Sequence, residues 1–99
     1  PPYYRLVYVY LKNHNEALLD QMAVVMADKL RAVFGNRVLG PDKPPVARIQ
    51  TLFIKKIVVK IEQNAPMGRA RELLLRIQRE MLADERYKSL IVYYDVDPM

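Results

Sequence analysis

The stretch Tyr4-Arg5-Leu6-Val7-Tyr8-Val9-Tyr10-Leu11 decides the fold. It is rich in β-branched and aromatic residues, prolines precede it, and polar Lys12-Asn13-His14-Asn15 follows, which predicts a strand. The period then changes. Leu19, Met22, Met26, Leu30 and Val33 share one helical stripe with Ala23 and Phe34 beside them, predicting a helix from Asn15 to Phe34. Asn13 with Glu16 three places on has the form of a capping box, and Gly35-Asn36 supplies a left-handed stop.

Beyond that helix, Val38-Leu39 is a short apolar step ending at Gly40-Pro41, before a loop carrying Pro41, Pro44 and Pro45. Val46–Gln50 is expected as the second strand and Leu52–Glu62 as the third, joined in a hairpin about Gln50-Thr51. Asn64-Ala65-Pro66 opens a second helix with proline in its first turn. Met67, Ala70, Leu74, Ile77 and Met81 form its apolar stripe, widened by Leu73, while Glu72–Arg76 and Arg76–Glu80 are spaced as pairs on its wet side. Leu90–Val96 is the last strand. The order β-α-β-β-α-β defines an α+β, ferredoxin-like (split βαβ) sandwich: one sheet with two helices on one face.

Such a sheet has one face left uncovered. Strand alternation puts Val7, Val9 and Leu11 on one side and Leu6, Tyr8 and Tyr10 on the other. In the third strand Phe53, Ile57, Val59 and Ile61 oppose Lys56, Val58 and Lys60; in the last, Leu90, Val92, Tyr94 and Val96 oppose Ile91, Tyr93, Asp95 and Asp97. The aliphatic sets suit a core, so Tyr8, Tyr10, Lys56, Lys60 and Tyr93 are expected on the open face. Rings between lysines suit stacked bases and neutralised phosphates. They equally suit docking against another part of a longer protein, the commoner meaning of an apolar-aromatic patch.

The chain has 99 residues, 52% apolar and 27% charged, which fits one domain spanning residues 1–99 with its own core. Sixteen Lys and Arg against eleven Asp and Glu leave a net charge of +5, favouring an acidic partner such as nucleic acid. Without cysteine, disulfides, thiolate zinc sites and cysteine nucleophiles are excluded. No apolar run is long enough for a membrane helix, so no membrane partner is expected. The chain opens on Pro1-Pro2 rather than methionine, which reads as a domain of a longer protein.

Catalytic chemistry is thinly represented. His14, the single histidine, sits between two asparagines with no Ser or Cys partner and reads as a solvated loop residue. Asp95 and Asp97 are two apart on one strand side but lack a third oxygen ligand, so no metal site is assigned. Gly35, Gly40 and Gly68 are scattered and make no phosphate loop. Small acyl-phosphate hydrolases share this order of elements, but their glycine-rich loop and arginine are not recognisable here. Pro1-Pro2-Tyr3-Tyr4 has the form of a short proline motif read by WW domains, and as a four-residue match it is read as a strand entry. Arg69, Arg71, Arg76 and Arg79 make the second helix basic, either as a solvated face or as phosphate contacts.

Three segments in order carry a resemblance: Pro1-Pro2-Tyr3-Tyr4-Arg5-Leu6 opening a strand, Arg37-Val38-Leu39-Gly40-Pro41 before the proline-rich loop, and Asp95-Val96-Asp97-Pro98 at the end. Together they resemble, over essentially the whole chain, the C-terminal domain of primosomal protein N′ (PriA), a bacterial replication-restart helicase family. The resemblance implies a noncatalytic C-terminal domain of an ATP-dependent 3′-to-5′ DNA helicase. It implies a domain that helps bind fork DNA, branched or single-stranded, and scaffolds the helicase core of the same protein. ATP, Mg and Zn would be bound elsewhere in the parent and no cofactor in this fragment. Single-stranded DNA-binding protein and other primosome proteins would be partners, in the bacterial cytoplasm near the nucleoid.

One departure stands out. Many relatives enter the third strand with Arg-aromatic-Arg-aromatic-Gln, whereas this chain reads Leu52-Phe53-Ile54-Lys55-Lys56. Leu52 replaces an arginine that in relatives helps bind the acidic tail of single-stranded DNA-binding protein, and Lys56 replaces the glutamine. Lys55 and Lys56 can replace charge but not the bidentate arginine fork. The DNA-phosphate candidates are Arg5, Arg48, Lys55, Lys56 and Lys60, with Arg69 and Arg76 behind them; Tyr8, Tyr10 and Tyr93 are the stacking or docking candidates. Two alternatives stand beside this reading: a freestanding single-stranded nucleic-acid-binding module using the open face, and a purely structural docking domain.

Overall fold

The computed structural model describes residues 3–44, 48–49 (backbone alone) and 51–96. Strand β1 (Tyr4–Asn13) leads into helix α1 (Glu16–Phe34), then β2 (Val38–Asp42), β3 (Arg48–Ile49), β4 (Leu52–Glu62), helix α2 (Met67–Leu82) and β5 (Ile91–Val96). The strands lie in the order β2-β4-β1-β5, with β3 also paired to β4, and every pairing is antiparallel. This is the split βαβ sandwich expected from the order of elements.

Strand β1 is central and sets the register on both sides. Val7, Val9 and Leu11 face Val59, Ile57 and Lys55 of β4, and Val96, Tyr94 and Val92 of β5. The three β1 residues are fully buried beneath Leu19, Met22, Met26 and Leu30 of α1 and Leu74, Ile77 and Met81 of α2. Burying each such side chain is worth about 1.5–3 kcal/mol. The α1 stripe is shifted slightly from expectation: Ala27 is buried, whereas Val33 is 37% exposed. Tyr87 and Leu90, in the connection from α2 to β5, complete the cluster.

Local chemistry sets the helix ends, with two differences from the sequence reading. Asn15, not Asn13, caps α1, its side-chain oxygen accepting from Leu18 N at 3.0 Å. Asn13 is buried at the end of β1 and satisfied by other partners. Its Oδ1 accepts from Asn15 N at 2.9 Å, and its Nδ2 donates to the Ser89 carbonyl at 3.2 Å and Oγ at 3.1 Å. A short polar side chain beside a strand end therefore serves as a staple to the β5 connection. Gly35, at φ 65°, does stop α1, donating its N–H to the Arg31 carbonyl. Pro66 sits one place outside α2 as its cap instead of in the first turn, and its carbonyl accepts from Arg69 N and Ala70 N. The expected pairs of Arg76 are replaced: Glu72 binds Arg69 at 3.3 Å, and Glu80 reaches across to Lys29 of α1 at 2.8 Å.

The largest difference lies at the edge beside β4. The strand expected at Val46–Gln50 is represented by Arg48–Ile49, which close the anticipated hairpin through Arg48 opposite Phe53 and Ile49 opposite Leu52; Val46, Ala47 and Gln50 lie outside the described residues. The principal partner of β4 on this edge is β2, at the Val38-Leu39 step. Its ladder slips between Leu39, opposite Val58, and Asp42, opposite Lys56, so β2 carries one extra residue, a bulge. Gly40 sits in it at φ 100°, and a Cβ there would stand 2.9 Å from the Lys56 carbonyl oxygen. Pro41, which has no N–H to give a ladder, follows directly. Arg31 Nη2 donates to the Gly40 carbonyl at 2.6 Å and ties the bulge to α1.

Gly40→Ala is expected to destabilise the fold by about 1–3 kcal/mol through backbone strain and the forced contact, read as a lowered urea midpoint; an unchanged midpoint would show that the bulge relaxes freely. Tyr94 offers a second check. Half-buried against α2, it donates to Gln78 Oε1 at 2.8 Å, and burial pushes its phenol up to about 12. The folded state therefore favours the neutral ring. Its contribution is complete below the ordinary value of 10.0 and is lost as pH rises from there toward about 12. Urea unfolding followed between those limits should show this loss in the parent chain and a smaller one in Tyr94→Phe.

Candidate nucleic-acid interface

The side of the sheet away from the helices carries Tyr4, Leu6, Tyr8, Tyr10 and Lys12 of β1. Register places Glu62, Lys60, Val58, Lys56 and Ile54 of β4 opposite them, and Asp95, Tyr93 and Ile91 of β5 opposite Tyr8, Tyr10 and Lys12. No described helix lies over this side. Leu39 of β2, opposite Val58, is 45% exposed there. Ile54 is the exception, buried on this side near the β3–β4 hairpin and outside the main core cluster.

The rings and ammonium groups form one connected array. Tyr10 and Tyr93 stack across β1 and β5, centroids 4.8 Å apart and planes 15° from parallel; Tyr8 leans on Tyr10 at 6.4 Å. Lys12 Nζ lies 4.6 Å from the Tyr93 centroid, Lys56 Nζ 5.2 Å from that of Tyr8, and Lys60 Nζ 5.6 Å from that of Tyr4. These distances lie within the range of cation–π attraction. Alternation and register account for all of it: residues of one parity on β1 meet residues of one parity on β4 and β5.

The face is not uniformly cationic. Asp95 is exposed beside Tyr8, toward the β5 edge. Burial, then the Asp95 charge, then the neighbouring Tyr93 and Tyr8 hold the Tyr10 phenol above its ordinary value. Lysines thus lie on the two central strands β4 and β1, with Asp95 on the β5 edge and Asp42, opposite Lys56, on the β2 edge. Glu62 is engaged by Arg37.

The sequence-predicted residues do not form one surface. Tyr8, Tyr10, Tyr93, Lys56 and Lys60 come together as expected. Lys55 does not: opposite Leu11, it points to the helix side and binds Asp20 of α1 at 3.1 Å. Arg5, opposite Ile61, is also on the helix side, and its buried Nε has no acceptor among the described residues. The two-residue period of a strand places both on the side opposite the ring-bearing face. Arg69 and Arg76 lie on the exposed surface of α2, away from the sheet's open face. The Arg48 side chain, Pro1, Pro2 and Asp97 lie outside what is described. Lys12 and Tyr4 were missed, although their parity with Tyr8 and Tyr10 was there to be read.

His14 is exposed at the strand's end, its Nδ1 3.2 Å from the Thr51 carbonyl and 3.1 Å from Thr51 Oγ1, which joins two turns. Among the described residues there is no cluster of three or more His, Cys, Asp or Glu able to hold a metal, and no helix is long and apolar enough to cross a membrane.

Fold and surface together define a ferredoxin-like sandwich whose face away from the described helices presents tyrosines capped by lysines. The chain belongs to the family described as the primosomal protein N C-terminal domain, whose model matches residues 1–99. It is similar to the replication restart protein PriA of Bacillus subtilis (strain 168), 28% identical over 100 residues. That match covers 99% of this chain but 12% of the relative, so the chain spans about an eighth of the curated relative's length. In structure it is similar to the de novo designed protein Foldit4, with a TM-score of 0.67, 11% identity and coverage of 97% of this chain and 98% of that one. At that identity the likeness concerns fold alone.

Replacing Asp95 with Asn should lower the Tyr10 phenol toward its ordinary value without moving Tyr94. Carbon NMR of the tyrosine rings against pH would follow both; a Tyr10 titration unaltered by the change would remove Asp95 as a cause.

Proposed function

We propose that this chain acts in replication restart as an accessory domain that holds fork DNA by its phosphates and docks beside the helicase core of a longer protein. The observation that carries the reading is the placement of Lys12, Lys56 and Lys60 on one uncovered face, each ammonium within 6 Å of a ring centroid. Family membership supplies the context of replication restart. Half-buried Leu6 and Val58 and exposed Leu39 and Ile91 between and around the cations support protein docking on the same side.

The freestanding base-stacking reading draws less support from the geometry. Tyr10 and Tyr93 already cover one another, and lysines lie over Tyr93 and Tyr8. A base entering between the rings has to part a stack worth about 0.5–1.5 kcal/mol. Phosphates need no such opening: they meet the ammonium groups without parting the rings.

Fork DNA is expected to bind the 99-residue chain with little sequence preference and a steep salt dependence. In Lys56→Ala with Lys60→Ala, the slope of log K against log salt should fall by roughly 2, one unit for each ammonium–phosphate pair removed. Fluorescence anisotropy across a salt series measures it. An unchanged affinity and slope would rule out this face as the DNA site.

A further inference from the structure

The two helices carry opposite charge. Within α1, Glu16, Asp20 and Asp28 outnumber Lys29 and Arg31; within α2, Arg69, Arg71, Arg76 and Arg79 outnumber Glu72 and Glu80. Both α2 glutamates are engaged, Glu80 by Lys29 of α1 and Glu72 by Arg69. The Arg69–Glu72 pair is solvent-exposed on both sides, the kind that exchanges readily for a phosphate. Arg76 and Arg79 make no ion pair among the described residues. With Arg69, Glu72, Leu73 and Leu75 they line a shallow depression on α2. At 1.5 Å per residue, Arg69 to Arg79 spans about 15 Å of helix.

This surface belongs to the helix layer, whereas Lys12, Lys56 and Lys60 belong to the opposite side of the sheet. The sandwich is 19 Å across in its thinnest dimension, so no single phosphate run lies flat on both. Planar guanidinium groups suit bidentate phosphate contact, and the cations of α1, Lys29 and Arg31, are already paired with Glu80 and Asp28.

We propose that the α2 arginines Arg69, Arg76 and Arg79 form a second phosphate-binding surface, so that one domain holds two arms of a branched DNA, one on each side of the sandwich. This rests on the phosphate-holding reading of the lysine face and deepens it. Two sites joined by a rigid body convert the second contact into an intramolecular one. A branched DNA, whose arms reach both sides, gains from that; a linear duplex does not. Preference for a fork then arises from geometry, without a residue that reads the junction itself.

The test compares a three-armed fork and a linear duplex binding to the 99-residue chain, using Arg76→Ala with Arg79→Ala beside Lys56→Ala with Lys60→Ala. All four positions lie on exposed or half-exposed surface, and circular dichroism checks that the fold persists. The parent chain should bind the fork at least about tenfold more tightly than the duplex. The arginine variant should lose that advantage while keeping duplex affinity within about twofold, and its fork salt slope should fall by roughly 2. Two duplexes labelled with donor and acceptor dyes should show energy transfer with the parent chain and not with the arginine variant. If the arginine variant keeps its fork preference and its energy transfer, the second surface is refuted while the lysine reading stands. If the lysine variant leaves every affinity unchanged, or the parent chain binds neither DNA, both readings fall.

Discussion

Strand β1 pairs on both edges, and this constraint governs the rest of the molecule. Its ten residues meet β4 along their whole length and β5 over six. A shift by one residue would turn Val7, Val9 and Leu11 to water and bring Tyr8, Tyr10 and Lys12 beneath the helices. Burying the Lys12 ammonium among methionines and leucines would cost far more than any compensating contact could return. The hydrophobic set therefore locks the register, and the register places the rings and ammonium groups. Core and surface are two readings of one alternation.

The edges are treated differently. Beside β4, the partner strand is divided into β2 and β3, bulged at Gly40 and interrupted by prolines, features that discourage pairing with another chain. At the other edge, β5 has neither proline nor lysine over Ile91–Val96 and exposes Ile91, Tyr93 and Val96. Asp95 is its single charge. That side offers backbone hydrogen bonds and apolar surface together.

Most of the fold was legible because it rests on periodicity. Both helices, the long strands and the facing of Tyr8, Tyr10, Tyr93, Lys56 and Lys60 follow from where apolar residues recur. The misreadings share another origin. Asn13 and Asn15 are both good caps, and only the burial of Asn13 against Ser89 chooses between them. Val38-Leu39 is too short to announce a strand and takes its place through pairing with β4. The parity of Lys55 and Arg5 sets them with Leu11 and Val7, on the helix side of the sheet. Long-range partners such as Asp20 for Lys55 leave no local signal.

The lysines over the tyrosine rings have a thermodynamic consequence. A free lysine side chain surrenders about 0.5–1.5 kcal/mol of rotamer freedom when a partner immobilises it. Lys12, Lys56 and Lys60 have been gathered by aromatic faces in advance, so an arriving polyanion meets charges whose disorder is already reduced. On the phosphate-holding proposal, the tyrosines would act on affinity without touching the ligand, as a template for the positions of the charges above them.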